Sequence, residues 1–430
     1  MAQPRDFGFG SEEQMMRDSA RKFLRDNAPV DRLRKLVAGD HHAAYESAVQ
    51  PAPYDERVWR QMVELGWTSL AVPEEAGGVG MKMVAVAALA EEIGRAALPS
   101  PLTATLIATA VLRAAALGSA GSARGATTTP NAGSGGGGAV PSGTAQAWLE
   151  RVAAGEATTL AATGADDSWE VDATDVTATP RVAAAGRAMP APAASAAGGG
   201  GTVLRGTAAF VQDARKAAFF VVAARAAGGI GLYAIPADTP GVTIHPDRIL
   251  DLTRDQARVE LDDVEVDAAG VIARPGDGER ALAGALPAIL TIVAADLCGA
   301  AEWQLQTTAE YARVRTQFDH PIGFFQAVKH PIVNMMIDVD RARALTYAAA
   351  CAIDTDPADA LRLARMAKAA ASDAGAFCSG RSVQLHGGIG FTWECDVHIY
   401  FKRQMHNQFL YGDAPHQRAK LAALVDAGDG

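Results

Sequence analysis

Two aspartates in this sequence stand where a general base could operate. Asp413 follows an aromatic residue and a glycine in LYGDAPHQR, and Asp296 interrupts the apolar stretch ILTIVAADLCGAA. A carboxylate whose pKa is raised by a dry pocket can remove a proton from carbon. Both have structural alternatives, because an Asp before Ala414-Pro415 is a typical helix N-cap and a lone acid among apolar residues often pairs with a buried arginine. The sequence leaves both interpretations open.

A second set of residues could hold a phosphorylated cofactor. Arg315 ends a predicted long helix that Asp319-His320-Pro321 breaks, and a guanidinium can bind a pyrophosphate through two parallel hydrogen bonds. Gln384 ends another predicted helix and is followed by the run GGIG at 387–390. Glycine lets a backbone N–H approach a phosphate closely, but a helix C-cap explains a glycine run equally well.

Composition limits the partners that the chain can have. Its 430 residues are 49% hydrophobic and carry a formal net charge of −10 without a basic block, which argues against nucleic acid. The first residues, MAQPRDFGFGSEEQ, lack the pattern of a signal peptide. The uncharged run at 281–295 contains Pro287 and is too short to span a bilayer. We expect a cytoplasmic protein without a membrane span, and without a metal site because no HExxH or paired histidine spacing occurs.

The elements that must position these residues follow an α–β–α order. Residues 1–154 predict a helical domain with a flexible Gly/Ser/Thr-rich loop at 119–144. Residues 155–273 contain short Val- and Ile-rich runs that predict an antiparallel β-domain, with a flexible loop at 183–201. Residues 274–430 predict a four-helix bundle with helices over 281–315, 326–352, 357–385 and 414–427. The fold class is therefore α+β with three domains.

Three longer stretches carry a resemblance to a known family. They are LGWTSLAVPEEAGGVG with the following EEIGR, RVRTQFDHPIGFFQAVKH at 313–330, and QLHGGIGFTWECDVHIYFKR at 384–403. With the middle fragments LRGTAAFVQDARKAAFFVVAA and ILDLTRDQARVELDDVEV, they resemble the acyl-CoA dehydrogenase family of flavoproteins, in the right order and over nearly the whole chain. The resemblance implies FAD as cofactor, an acyl-CoA thioester as substrate and an electron-transfer flavoprotein as electron acceptor.

The resemblance also implies which residues contact the cofactor. The adenosine diphosphate part of FAD, held mainly by a neighbouring subunit, would contact Arg315, Gln317, Phe318, Gln326, Gln384, Gly387 and Gly388. This implies a homo- or hetero-oligomer, either a dimer or a dimer of dimers such as a homotetramer. The isoalloxazine would lie between the β-domain and the bundle, near Phe210 and Thr163. Gln212 stands where the family has a second threonine, so this half of the site matches in part, and Phe210 could instead be a core aromatic.

The family's usual positions for the base are empty in this chain. The usual Tyr-Glu-Gly-Thr segment reads Tyr411-Gly412-Asp413-Ala414, so a glycine stands at the place of the glutamate. A position that a subset of the family uses falls on Ile289. Asp413 lies one residue from the usual position, and Asp296 lies two helical turns after Ile289 on the same face. These two aspartates are the candidate catalytic residues.

Three functions follow from this partial match. The first is α,β-dehydrogenation of an acyl-CoA thioester, in which the base takes the α-proton and FAD takes the β-hydrogen as hydride. The second is a non-catalytic subunit of a mixed oligomer, which keeps the fold and lacks the base. The third is a flavin monooxygenase-type relative, which needs no such base.

Overall fold

Six helices precede the sheet in the computed structural model, which describes residues 6–38, 51–124, 143–166, 168–170, 173–181 and 201–428. The helices are α1 (Ser11–Asn27), α2 (Val30–Ala38), α3 (Glu56–Glu64), α4 (Met83–Arg95), α5 (Leu102–Arg124) and α6 (Thr144–Ala153). Helix α2 was not predicted. The flexible loop predicted at 119–144 begins later, because α5 continues to Arg124. Residues 125–142 of that loop and 183–200 of the second predicted loop lie outside the described residues.

A single large sheet forms the middle of the chain. Its strands are β1 (Thr158–Ala161), β2 (Thr177–Pro180), β3 (Thr202–Gln212), β4 (Phe219–Ala226), β5 (Gly229–Pro236), β6 (Val242–Pro246), β7 (Gln256–Val266) and β8 (Val271–Ala273). The order is β6-β7-β3-β2-β4-β5-β8, with β1 joined to β4. The sheet is mixed rather than wholly antiparallel, because β1 and β2 run parallel to β4. These two strands have four residues each, too few for alternation to predict them.

The central strand β4 is buried on both faces of the sheet. Along β4, Phe219, Val221 and Ala223 pack into the same core as the helices of both helical domains. The alternate residues, such as Phe220 and Val222, pack into a second core on the other face. Side chains alternate between the faces of a strand, so one strand joins both cores. The sheet is therefore a firm support for any side chain that projects from its edges and bulges.

The C-terminal part is helical. It consists of α7 (Asp277–Val314), a two-stranded hairpin of β9 (Thr316–Gln317) and β10 (His320–Pro321), α8 (Gln326–Thr355), α9 (Pro357–His386), α10 (Val397–Asn407) and α11 (Ala414–Gly428). The predicted bundle helices correspond to α7, α8, α9 and α11, whereas the short α10 was not predicted. The predicted domain boundaries at 154/155 and 273/274 fall in the connections from α6 to β1 and from β8 to α7, and they stay predictions.

Helix α7 is the central helix of this part. By length and composition it could cross a membrane, with a mean hydropathy of 2.0 over its most apolar window, but 78% of that window is buried inside the protein. It crosses α4 at two glycines. A Cβ on Gly94 would lie 2.0 Å from the carbonyl oxygen of Asp296, and one on Gly299 would lie 1.8 Å from that of Glu91. Only glycine permits this close crossing, which fixes the position of Asp296 in the interior.

Candidate active site

A cavity of about 620 Å³ lies between the sheet and the C-terminal helices. Side chains from both layers line it, together with the turn that precedes α11. The residues that matter below are Trp169, Phe210, Gln256, Met405, His406, Phe409, Gly412, Asp413 and His416. Ligand sites typically enclose roughly 300–1,000 Å³, so the volume suits a small molecule or the reactive part of a larger one.

Aromatic rings form one wall of this cavity. The ring of Trp169 lies 6.1 Å from that of Phe210 and 5.0 Å from that of Tyr411, measured between centroids. Phe210 has a φ of +55° and sits where the register of β3 against β7 shifts between Ala208 and Val211. A bulge of this kind re-aims a side chain relative to the regular alternation. The bulge thus places Phe210 in the cavity wall, and its contact with a flavin stays a prediction.

Asp413 combines the two interpretations that its sequence context left open. Its Oδ1 accepts a hydrogen bond from the backbone N–H of His416 at 2.9 Å, so it caps the N-terminus of α11. The half-buried side chain also lines the cavity. Within the described part of the chain its Oδ2 has no hydrogen-bond partner. One carboxylate oxygen is therefore structural and the other is available to a bound molecule.

A buried lysine holds the turn that leads to Asp413. The ammonium group of Lys368 on α9 donates to the carbonyl oxygens of Gln408 and Gly412, at 2.8 and 2.9 Å, and to the hydroxyl of Ser372 at 2.9 Å. Burial lowers the pKa of Lys368 to about 7, against the opposing attraction of Asp413. All three N–H donors of the protonated amine are used, which fixes the turn against α9.

The same turn is held from a second side. The amide nitrogen of Gln417 donates to the carbonyl oxygen of Tyr411 at 2.5 Å, and Arg365 donates to the amide oxygen of Gln417 at 2.9 Å. Tyr411 has a φ of +56°, a conformation that costs a residue with a side chain about 1–2 kcal/mol. The surrounding hydrogen bonds thus stabilise a strained turn, and the strain lies beside the cavity.

Gly412, at the place of the family's glutamate, has no room for a side chain. A Cβ on Gly412 would lie 2.3 Å from Cδ2 of His416, and the φ of Gly412 is +88°. The imidazole of His416 therefore occupies the space into which a side chain at position 412 would project. Burial lowers the pKa of His416.

The contact between position 412 and His416 gives a first prediction. Gly412→Ala is expected to lower the free energy of unfolding by about 3 kcal/mol, because the left-handed backbone and the overlap with His416 both oppose the new methyl group. Urea unfolding measures the loss. Gly387→Ala is the matched control, since its φ is +67° but nothing lies within 4 Å of the place that its methyl group would take. We expect about 1 kcal/mol for the control, and equal losses in the two variants would contradict the overlap.

Asp296, the second candidate base, lies in a buried ionic network. Its side chain is 0% exposed. Arg403 donates to both of its oxygens, at 3.0 and 2.7 Å, and Arg254 and Asn407 donate at 2.7 and 2.8 Å. Burial alone would raise its pKa, but the two arginines outweigh burial and hold the pKa of Asp296 below its usual value. These contacts favour the structural alternative for Asp296 and give no support to a role as a proton acceptor.

A chain of side-chain hydrogen bonds runs along the sheet side of the cavity. His406 Nε2 lies 2.9 Å from the amide oxygen of Gln212. The amide nitrogen of Gln212 donates to the carbonyl oxygen of Phe210 at 3.0 Å and to the amide oxygen of Gln256 at 2.8 Å. Gln256 in turn donates to Asp247 at 2.9 Å. Gln212 is thus held by neighbours of its own, rather than offering its amide N–H groups to the cavity.

The predicted phosphate contacts lie elsewhere, on the surface at the end of α7. Arg315 ends that helix, and the side chains of Gln317, Phe318 and Gln326 are exposed, Phe318 by 84%. Phe318 and Asp319 have φ values of +53° and +60°, as a tight two-residue hairpin turn between β9 and β10 requires. These residues do not line the cavity, so they could meet only the distant part of an extended cofactor or another subunit.

The second phosphate-contact stretch lies at the end of α9. Gln384, Gly387 and Gly388 are exposed there. The end of α9 touches the end of α7, because the rings of Tyr311 and His386 stack with centroids 4.3 Å apart. The structure therefore brings the two predicted phosphate-contact stretches to the same end of the helical layer.

The remaining predicted contact, Thr163, is close to the aromatic wall. Its carbonyl oxygen accepts from the backbone N–H of Ala209 at 2.8 Å, one residue before Phe210. Sequence reasoning missed Trp169, Lys368 and His406. Trp169 stands in the segment TGADDSWE at 163–170, where an aromatic residue among acids was a usable signal. Nothing in the local sequence marks Lys368 or His406.

The residues of the cavity fit the ring part of a flavin. The aromatic wall offers a flat apolar surface, and Asp413 Oδ2 and His406 Nδ1 have no hydrogen-bond partner among the residues that the structure describes. A planar ring system with polar edges would cover the aromatic wall and could donate hydrogen bonds to these two acceptor atoms.

Comparison with known proteins agrees with this fit. The family model for the acyl-CoA dehydrogenase N-terminal domain matches residues 10–124, and that for the C-terminal domain matches residues 277–425. By its fold and its cavity, the protein belongs to the class of flavoprotein dehydrogenases. The chain belongs to the acyl-CoA dehydrogenase family, which confirms the resemblance and the predicted α–β–α fold.

Individual relatives cover nearly the whole chain. Acyl-CoA dehydrogenase IpdE2 of Mycobacterium tuberculosis is 30% identical over 393 residues, which are 91% of this chain and 90% of the relative. The ChsE4-ChsE5 complex from the same organism has a chain that is 26% identical, with a TM-score of 0.76 and coverage of 98% and 99%. An acyl-CoA dehydrogenase complexed with FAD from Bacillus anthracis shares the fold at 19% identity, with a TM-score of 0.75 and coverage of 98% and 70%.

Proposed function

We propose that this chain binds FAD and catalyses the α,β-dehydrogenation of an acyl-CoA thioester. By family it is an acyl-CoA dehydrogenase-like oxidoreductase. The observation that supports the specific reaction is the cavity that Trp169, Phe210 and Asp413 line together, where one oxygen of Asp413 has no hydrogen-bond partner among the described residues. FAD, when bound, supplies the acceptor for the hydride that leaves the β-carbon.

Within this proposal the chain's own residues have separate tasks. Asp413 Oδ2 takes the α-proton, while Asp413 Oδ1 keeps its bond to the N–H of His416 and so holds the carboxylate in place. The turn clamped by Lys368 keeps Asp413 at the cavity wall. The aromatic side chains exclude water, which strengthens the electrostatic interactions around the reacting atoms.

The cofactor's adenosine diphosphate part would lie against Arg315, Gln317, Phe318, Gln326, Gln384, Gly387 and Gly388. We expect these contacts to be completed by a second subunit, because apolar side chains stand exposed in the same stretches of chain and on the adjoining helix α8. Those side chains, each at least 45% exposed, are Val314, Phe318, Phe324, Met336, Ile337 and Phe391. Exposed apolar residues gathered in this way mark an interface. Electrons would leave through an electron-transfer flavoprotein in the cytoplasm.

Anaerobic reduction of the flavin tests the proposal. We expect the purified chain to be yellow. Oxidised flavin absorbs at about 450 nm, and this absorbance should bleach when an acyl-CoA from a panel of chain lengths and shapes is added. Free coenzyme A is the control, since it lacks the acyl chain that carries the α- and β-hydrogens. A yellow protein that no member of the panel bleaches would contradict the reaction while leaving the cofactor in place.

One observation favours a second function, that of a non-catalytic subunit in a mixed oligomer. His416 fills the space of a side chain at position 412, so a glutamate there would require the imidazole to move and the backbone to keep an unfavourable φ of +88°. A solved relative is named as a complex of two different chains, ChsE4 and ChsE5. A chain that is colourless alone, and yellow and active only after co-expression with a second acyl-CoA dehydrogenase-like chain, would support this alternative.

A further inference from the structure

His406 lines the cavity and has no part in the proposed reaction. It lies on α10, half-buried, next to the hydrogen-bonded chain of Gln212 and Gln256. Its one side-chain hydrogen bond within the described residues joins Nε2 to the amide oxygen of Gln212 at 2.9 Å. What the second ring nitrogen can do depends on which nitrogen carries the proton.

The neighbours of Gln212 determine that proton's position. The nitrogen of the Gln212 amide faces the carbonyl oxygen of Phe210, which can only accept, so the amide cannot be turned round. Its oxygen must therefore face His406, and an oxygen opposite Nε2 requires the proton on Nε2. In a neutral imidazole the other nitrogen, Nδ1, is then a hydrogen-bond acceptor.

Burial keeps this imidazole neutral. It lowers the pKa of His406 to about 4, with the opposing charges of Asp251 and Asp296 set against those of Arg254 and Arg403. At neutral pH, His406 therefore presents to its surroundings an acceptor, Nδ1, that no described residue satisfies.

The chemistry of the acceptor selects its ligand. The reacting end of an acyl thioester carries a carbonyl oxygen and a sulfur, which accept hydrogen bonds and donate none. A flavin carries an N–H on its ring and hydroxyl groups on its ribityl chain. We propose that His406 is a cofactor-binding residue whose Nδ1 accepts a hydrogen bond from an N–H or O–H group of the flavin. This assignment rests on the proposed binding of FAD in the cavity.

Two amide substitutions separate this role from a structural one. Asparagine can present an oxygen near the position of Nδ1 but does not reach Gln212, whereas His406→Gln can keep the bond to Gln212 but has no acceptor at Nδ1. FAD is removed from the full-length protein and titrated back, and binding is followed by the quenching of flavin fluorescence. We expect His406→Gln to bind FAD about fivefold more weakly than the wild type and His406→Asn to bind within about twofold of it.

Thermal unfolding of each variant without FAD shows whether the fold is retained. The reverse ranking, with His406→Asn weak and His406→Gln normal, would assign His406 to the support of Gln212 and overturn the proposal, as would any other ranking. A wild-type chain that does not bind FAD would overturn the proposed function together with this assignment. Normal binding by the wild type and both variants would overturn the role of His406 alone.

Discussion

Replacing Asp413 by asparagine is expected to slow the reduction of the flavin by acyl-CoA by about 100- to 10,000-fold, the range that a positioned general base contributes. The amide has the shape of the carboxylate but cannot take up the α-proton. Asparagine caps a helix about as well as aspartate, so α11 and the turn before it should remain in place. The rate of bleaching, followed anaerobically by stopped-flow absorbance, measures the effect, and the flavin content of the protein should not change.

Asp262→Asn is the matched control for this experiment. Asp262 is exposed on β7, so the same chemical change should leave the bleaching rate as it was. If Asp413→Asn bleaches at the wild-type rate, Asp413 is only the cap of α11 and the proton acceptor lies elsewhere. If the variant loses its flavin as well as its activity, the effect comes from disruption of the cavity.

Replacing Asp296 by asparagine is expected to lower the free energy of unfolding by at least about 3 kcal/mol. The substitution leaves Arg403 and Arg254 buried beside one another without the carboxylate that both contact. Two buried like charges that have lost the carboxylate between them are more costly than the loss of the hydrogen bonds themselves. Chemical denaturation measures the loss, and a chain that fails to fold at all would agree with the expectation.

Asp262→Asn again supplies the control, with an expected change within about 0.5 kcal/mol because the side chain is exposed. The experiment also decides between the two interpretations of Asp296. An Asp296→Asn protein that is as stable as the wild type, holds FAD and no longer bleaches would make Asp296 the base and would contradict the structural role. Lost stability with normal bleaching in the folded fraction would confirm that Asp296 only holds the layers together.

Much of the fold could be predicted from local pattern. The long helices α7, α8 and α9 have enough turns for apolar spacing to reveal them, and their predicted ends differ from the observed ones by a few residues. The strands β1, β2 and β8 and the helices α2 and α10 were missed. Each is short, and pairing with distant residues, such as Thr158 with Phe219, stabilises β1 where local propensity does not.

The candidate site was predictable in its location and less so in its roles. Phe210 reached the cavity because a bulge in β3 turned it there, and a sequence pattern of period two does not contain a bulge. Lys368 reached the turn before Asp413 across 40 to 44 residues of chain. Burial and partners of this kind depend on packing between elements, so no local motif announces them.

By itself the sequence determined the family and the α–β–α order, and it predicted two stretches at helix ends as phosphate contacts, because helix periodicity and motif spacing are properties of neighbouring residues. The tertiary structure decided what the two aspartates can do. Asp296 meets Arg254 and Arg403 across 42 and 107 residues and is held ionised in the interior, whereas Asp413 lines the cavity and caps a helix with one of its two oxygens. The proton affinity of a carboxylate depends on the water and charges around it, and only folding brings those together.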